Sequence, residues 1–509
     1  LTPARLPPAA KPTRARLLGP VSVPVGLFVV MAALCVAHQG RLVELLYPAL
    51  SLVIAIWLYR KYPAHYLGFI CWLFFLTPEV RRLADFFVGA FNPVSPIMTA
   101  PLACAAISGC SLVINYKVLG ERRAMPLLIV MLGLLYAYVI GVARAGFSAA
   151  TFGMVSAVFP ALVGFRLIVS WTEHPEYQRV LLKTFVYACI LMGAYGVYEF
   201  INPPPWDAFW LLQSGMVNDG TPVPFGWRVA GTMNSSGPFA NTLLVCIVMA
   251  LAGKGKLRIA ASIALPALMF TSVRSAWGGL LLGLIYPIAM LDGRSRMRLI
   301  AAVITCVALC APLAMFGVAS DQFASRLGTI QNLDQDNSFQ MRVSMYSAFF
   351  ARALSDVSGQ GFGGTGVASK LSDDQADTIM VFDSGLMEVP YVMGWPGTLL
   401  YVSGMFALLW RAFAASRKQS KDHFSASGVG VAIATMMMMV FANTLTGVTG
   451  MFFFIGVLMP VNGLRYARLK GAAAQPKAAR SEGGAAALQP QPHGIRDVAR
   501  SAENSGAVS

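Results

Sequence analysis

Charge is scarce in this chain. Only 12% of its residues are Asp, Glu, Lys or Arg, against 56% hydrophobic, and the mean hydropathy is +0.62. Soluble domains carry about 25% charged residues, so a string of such domains is excluded. The period-two alternation of an outer-membrane strand is also missing, which argues against a barrel. The eight cysteines are Cys35, Cys71, Cys104, Cys110, Cys189, Cys246, Cys306 and Cys310. All lie inside apolar blocks and none in a long polar loop, so no disulfide framework and no zinc site is expected. Cys306 and Cys310 share a helical face without a histidine nearby and read as packing residues. No internal repeat marks inverted halves, and the first apolar blocks run straight into further ones, unlike a cleaved signal peptide.

What the chain has is apolar blocks of about 15–22 residues, each long enough to cross a ~30 Å hydrocarbon layer or nearly so. The blocks predict an all-α polytopic membrane protein of about 14 transmembrane helices, at about 20–37, 43–59, 63–77, 96–115, 124–143, 149–165, 180–199, 238–253, 259–272, 275–291, 299–318, 388–410, 427–446 and 449–464. The expected organisation is a disordered tail over 1–19, membrane helices over 20–318, a large outer loop over 319–387, membrane helices over 388–464 and a disordered tail over 465–509.

The formal net charge of +16 has a topological reading rather than a nucleic-acid one. Arg60 and Lys61, Lys117 with Arg122 and Arg123, Arg166 with Arg179, Lys254 with Arg258, Arg294 with Arg298, and Arg411 with Arg417 fall at the ends of alternate blocks. By the positive-inside rule that side is the cytoplasm, and both termini lie there. The other side receives few basic residues, among them Arg41, Arg81, Arg82, Arg144, Arg228 and Arg274.

Arg274 stands alone in an apolar run from Ile259 to Met290. At 1.5 Å per residue, roughly 32 residues would reach about 48 Å as one helix, too long for one crossing. Two helices joined at Thr271–Ser275 fit instead and put the arginine at the outer face, clear of the bilayer centre where it would cost at least ~2.5–3.5 kcal/mol. Two outer segments are long. In 201–237, the run Pro203–Pro205 and Trp206, Trp210 and Trp227 predict a stiff piece at headgroup level. In 319–387, Asp336, Asn337 and Ser338 can cap a helix to about Leu354. Arg342, Met345, Tyr346, Phe349 and Phe350 recur along it at helical spacing, so an amphipathic helix across the outer face is expected.

"GQGFGGTG" at Gly359–Gly366 looks like a phosphate cradle, but the Lys-Ser/Thr of a P-loop does not follow it, so a glycine-rich turn is the simpler reading. Arg228, Arg274 and Arg342 can each be interface anchors taken singly. As a set facing one cleft they suit a lipid pyrophosphate, because a guanidinium makes fork-like contacts to phosphate oxygens.

Four stretches together resemble the O-antigen ligase and O-antigen polymerase superfamily. "RVAGTMNSSGPFAN" is similar to its arginine–Gly–Asn-turn opening a span, and "TSVRSAWGGLLLGL" to its Ser-Arg-Ser/Gly-Ala-Trp stretch, with Val273 where Ser is usual. "MRVSMYSAFFARALSDVSGQGFGGTG" is similar to an arginine-bearing helix followed by a Gly-x-Gly turn, and "DSGLMEVPYVMGWPG" keeps Glu388, Gly394 and Gly397 in register with the fourth. The resemblance covers about 225–400. It implies a metal-independent glycosyltransferase, without cofactor, acting on undecaprenyl-pyrophosphate-linked oligosaccharide at the periplasmic face of a bacterial inner membrane. The large loop is then periplasmic, and chain-length regulators or export proteins are partners alongside membrane lipids. Arg228, Arg274 and Arg342 would bind pyrophosphate, and Asp383 or Glu388 would act as base or orient the acceptor.

The ligases carry a histidine where this chain has Asp383. None of the five histidines, His38, His65, His174, His423 and His493, lies in the large loop. The expectation is therefore an O-antigen or exopolysaccharide polymerase, with ligation to lipid A-core as the alternative. A lipid-linked oligosaccharide flippase is the rival from another class. It would want ionisable residues within the bundle and short outer loops.

Overall fold

The structure is a computed structural model. It describes residues 19–215, 219–253, 255–315, 346, 349, 356–371, 382, 384–443 and 446–485. The chain divides into two compact units, Leu1–Leu464 and Arg465–Ser509. Among the described residues there is no strand, only an isolated antiparallel bridge between Gly220 and Trp227. Helices are the economical solution for such a sequence. Away from water, a helix satisfies the backbone N–H and C=O groups within a single segment.

Among the described residues, eight helices are long and apolar enough to cross a membrane: Gly40–Lys61, Pro96–Ile114, Met125–Ala145, Phe147–Val169, Trp171–Ile201, Gly385–Arg417, His423–Val440 and Gly447–Ala472. Shorter apolar helices run over Ser22–Val36, Ser236–Leu251 and Leu257–Phe270. The chain is a membrane-embedded, all-helical protein. Helix also occupies the remaining apolar blocks, as Pro63–Val88, Arg274–Met290 and Gly293–Met315. Two blocks differ from expectation. The third helix runs on past residue 77 to Val88 and carries Glu79, Arg81, Arg82 and Asp85 in its last turns. The fourth is interrupted, with a 3-10 turn at Pro96–Thr99 and helices Ala100–Ala106 and Gly109–Ile114.

Small residues bring the helices together. A Cβ on Gly133 would lie 2.8 Å from the Gly397 carbonyl, and one on Gly193 would lie 2.7 Å from the Ala264 Cα. Gly283 and Gly430 meet in the same way, and so do Gly428 and Gly456. Lipid tails are as apolar as leucine, so helices in a bilayer associate through such close backbone contact rather than through hydrophobic burial.

The helix Gly385–Arg417 is broken at Gly394 (φ 60°, ψ −179°), between Pro390 and Pro396. The glycine-rich loop fills the break. Gln360 N donates to Tyr391 O (2.8 Å), Gly361 N to Val392 O (2.8 Å), and Trp395 N to Val357 O (3.0 Å). Phe362 N reaches Ala137 O on the neighbouring helix (3.1 Å). Groups freed by the kink are thus satisfied by a second segment, as non-helical backbone at membrane depth requires.

Candidate functional site

The packing of Arg274–Met290 against His423–Met437 fixes which ends face the same way. Gly283 abuts Gly430, while Gly279 abuts Met438, so the two helices are antiparallel. Arg274 therefore lies at the end where His423–Met437 finishes and the chain passes Met438–Val440 to Asn443. Glu388 is at that end too, in the first turn of Gly385–Arg417, where its Oε2 accepts from Asn443 Nδ2 at 2.8 Å. Ser384 caps this helix by accepting from Leu386 N. Its hydroxyl is 2.6 Å from the Tyr346 hydroxyl, which also donates to Val440 O at 3.1 Å. Tyr346 and Phe349, both helical, turn one side to Phe382, Met387 and Tyr391.

The turn before Arg274 is tightly made. The Thr271 hydroxyl donates to Leu268 O (2.7 Å) and accepts from Val273 N (3.3 Å), and Ser272 takes a left-handed φ of 55°. Such a φ is uncommon outside glycine and costs free energy that the surroundings must hold in place. The helix then starts at Arg274, with no side-chain cap at Val273. A cation at a helix N-terminus sits against the positive end of the macrodipole, so the dipole does not favour that placement. Arg228 joins the same turn. Its Nε donates to Thr271 O (3.1 Å), while its backbone N donates to Asp219 O (2.8 Å) and Val229 N to Phe270 O (3.3 Å). Two of the arginine segments expected from sequence, around Arg228 and Arg274, are thus hydrogen-bonded neighbours. Arg342 and Asp383 lie outside the described residues.

Sequence reasoning missed the charges beneath this turn. Arg82 is buried, and its Nη1 donates to Asp207 Oδ1 (2.8 Å) and to Gly231 O (2.8 Å), while Nη2 donates to Met233 O. The guanidinium lies 4.9 Å from the Trp210 ring centroid. Glu199, fully buried, accepts from Gly231 N at 2.6 Å. The Tyr195 hydroxyl is within 2.8 Å of Glu79 and 2.7 Å of Asp207, and it accepts from Trp206 Nε1. Burial pushes the Asp207 carboxyl up from the ordinary carboxylate range, against the pull of Arg82.

Arg82 and Glu199 therefore grip the backbone of the "RVAGTMN" stretch from two sides and hold Arg228 where it is. With Asp219 and Arg228 they line a recess of about 10 Å³, room for roughly one water. The usable signal was the Glu79–Asp85 charge run inside a helical pattern. Trp210 and Trp227, expected at headgroup level, are buried in protein at this cluster.

The glycine loop is not a phosphate cradle. Its Gln360, Gly361 and Phe362 amides are spent on helix carbonyls. Gly359, Gly361 and Gly363 all have positive φ and press onto Gly394, Gly141 and the Ala149–Ala150 backbone. Arg144 clasps the start of the loop, donating to Asp356 Oδ2 and Ser358 Oγ at 2.8 Å each, which holds the Asp356 carboxyl below the usual carboxylate range. Among the described residues no group of three His, Cys, Asp or Glu side chains is arranged to hold a metal.

No protein-family model matches the chain, and no curated protein matches it. The class is therefore carried by the fold: a helical, membrane-embedded protein with a cationic turn at one end of the bundle.

Proposed function

We propose that this chain polymerises undecaprenyl-pyrophosphate-linked oligosaccharide repeats at the outer face of a bacterial inner membrane, with about 14 spans, cytoplasmic termini and residues 319–387 outside. The observation that carries the reading is the contact of Arg228 with the Thr271–Arg274 turn, at the end of the bundle shared by Glu388. As the glycosidic bond to pyrophosphate breaks, charge develops on the leaving oxygens. Preorganised guanidinium groups then favour the transition state over the ground state. Arg228, Arg274 and Arg342 serve as the pyrophosphate clamp. Asp383 or Glu388 takes the proton from the incoming hydroxyl, or orients that hydroxyl. A donor activated in this way needs neither nucleotide nor metal.

The test is reconstitution of the purified full chain with lipid-pyrophosphate-linked repeat units. Extended glycan on lipid supports polymerisation. Transfer to lipid A-core instead makes the protein a ligase. A reporter at Ser372 that reads as cytoplasmic overturns the topology and the proposal with it.

One observation favours the transporter class: Arg82, Glu79, Glu199 and Asp207 are ionisable groups inside the bundle, as a translocation pathway requires. Against it, each contacts backbone or side chains of the Arg228 turn or of the Pro205–Ser214 helix below that turn, a holding role. The two classes part in a null strain. Single lipid-linked units accumulate in the outer leaflet if the protein polymerises and in the inner leaflet if it flips them.

A further inference from the structure

The opposite end of the same helix pair carries a second site, and it stands apart from the proposed reaction. Asp292, just past Arg274–Met290, donates its backbone N to Ser420 O (3.2 Å), just before His423–Met437. Beside this contact a cleft of about 580 Å³ opens, large enough for a small-molecule ligand. Its walls are mainly apolar, formed by Leu182, Ala252, Leu257 and Phe424. Leu257 is 41% exposed, so the apolar wall runs out onto the flank of the bundle. The rim is cationic: Lys418 and Lys421 line the cleft and are exposed.

Neither lysine is ion-paired among the described residues. The acid that follows Lys421 in the chain is already engaged. Asp422 Oδ1 accepts from Phe424 N (3.1 Å) and Oδ2 from Ser425 Oγ (2.7 Å), so it serves the helix start rather than the lysines.

We propose that this cleft binds an anionic membrane lipid, its headgroup phosphate between Lys418 and Lys421 and an acyl chain along Leu257 and Leu182. Basic pockets between helices at a membrane surface recognise anionic headgroups by this combination of charge and apolar wall. The phosphate could equally be supplied by a soluble ester. The apolar part of the wall favours the lipid, because a soluble phosphate has nothing to place on it.

The experiment uses the full chain in detergent, read by native mass spectrometry and by thermal midpoint. The probes are phosphatidylglycerol, phosphatidylcholine with the same acyl chains, and glycerol phosphate. The expected result is retention of phosphatidylglycerol with a raised midpoint, and little retention of phosphatidylcholine. The Lys418→Glu/Lys421→Glu variant should bind phosphatidylglycerol at least tenfold more weakly. Leu257→Trp, which narrows the cleft, should weaken lipid binding also. Arg60→Glu/Lys61→Glu, a pair of exposed basic residues on another helix, should leave it unchanged.

Equal retention of the two lipids overturns the proposal, as does an unaffected lysine double variant. A loss shared equally by the Arg60/Lys61 variant reduces the effect to general surface charge and also overturns it. Binding of glycerol phosphate as tight as that of the lipid assigns the site to soluble anions instead.

Discussion

Arg228 donates from Nε to the carbonyl of Thr271, three residues before Arg274, across a sequence separation of 43. The contact joins the end of the loop before Ser236–Leu251 to the turn between two apolar helices. It makes the two arginine segments hydrogen-bonded neighbours.

Arg274→Lys should keep the protein in the membrane at normal levels and lose activity, because an ammonium lacks the planar fork. A charge-assisted hydrogen bond is worth about 1.5–3 kcal/mol, or roughly ten- to more than a hundredfold in rate if it is made mainly in the transition state. Glycan chain length and initial rate from reconstituted protein measure this. Full activity in Arg274→Ala would leave the residue as an anchor only.

Arg82→Met should destabilise strongly, by about 3–5 kcal/mol, because it strands Glu79 and Asp207 as uncompensated buried acids. Adding Asp207→Asn to that variant should recover part of the loss. A double-mutant cycle on the thermal midpoint in detergent reads the coupling, and simple additivity would mean that the Arg82–Asp207 contact carries no weight.

Gly394→Ala should lower the midpoint, since φ 60° with ψ −179° is essentially closed to residues with a side chain, at about 1–3 kcal/mol. A Cβ there would also run into the Ser358 carbonyl. Gly26→Ala is the counterpart. Nothing lies within 4 Å of its Cβ position, in the helix Ser22–Val36, so the change should be neutral or stabilising, by up to about 1 kcal/mol.

The Arg144–Asp356 clasp gives a pH signature. The folded-state value of Asp356 is depressed below 3.8, so its contribution is present above the unfolded value and is lost as pH falls through the folded one. The pair is partly exposed and worth only about 0.2–1 kcal/mol. Asp356→Asn should therefore speed hydrogen exchange at the Gln360–Phe362 amides at neutral pH, and this difference should shrink in strong acid. A difference independent of pH would assign the effect to shape rather than to charge.

The sequence by itself determined the class, an all-helical membrane-embedded protein. Apolar block length and the scarcity of charge are local quantities, and a bilayer reads them locally. The same is true of the turn before Arg274, since one helix cannot use that many apolar residues in a single crossing. Tertiary structure decided what each polar group near that turn is for. Arg82 meets Asp207 across 125 residues, and nothing in the periodicity of either segment announces the other. The glycine loop shows the same limit. Its pattern already favoured a turn over a phosphate cradle, but only the break at Gly394 and the close approach of Gly141 show which backbone its amides serve. Helix formation follows from neighbours along the chain. Which buried charge is neutralised by which, and which backbone fills which break, follows from residues that only packing brings together.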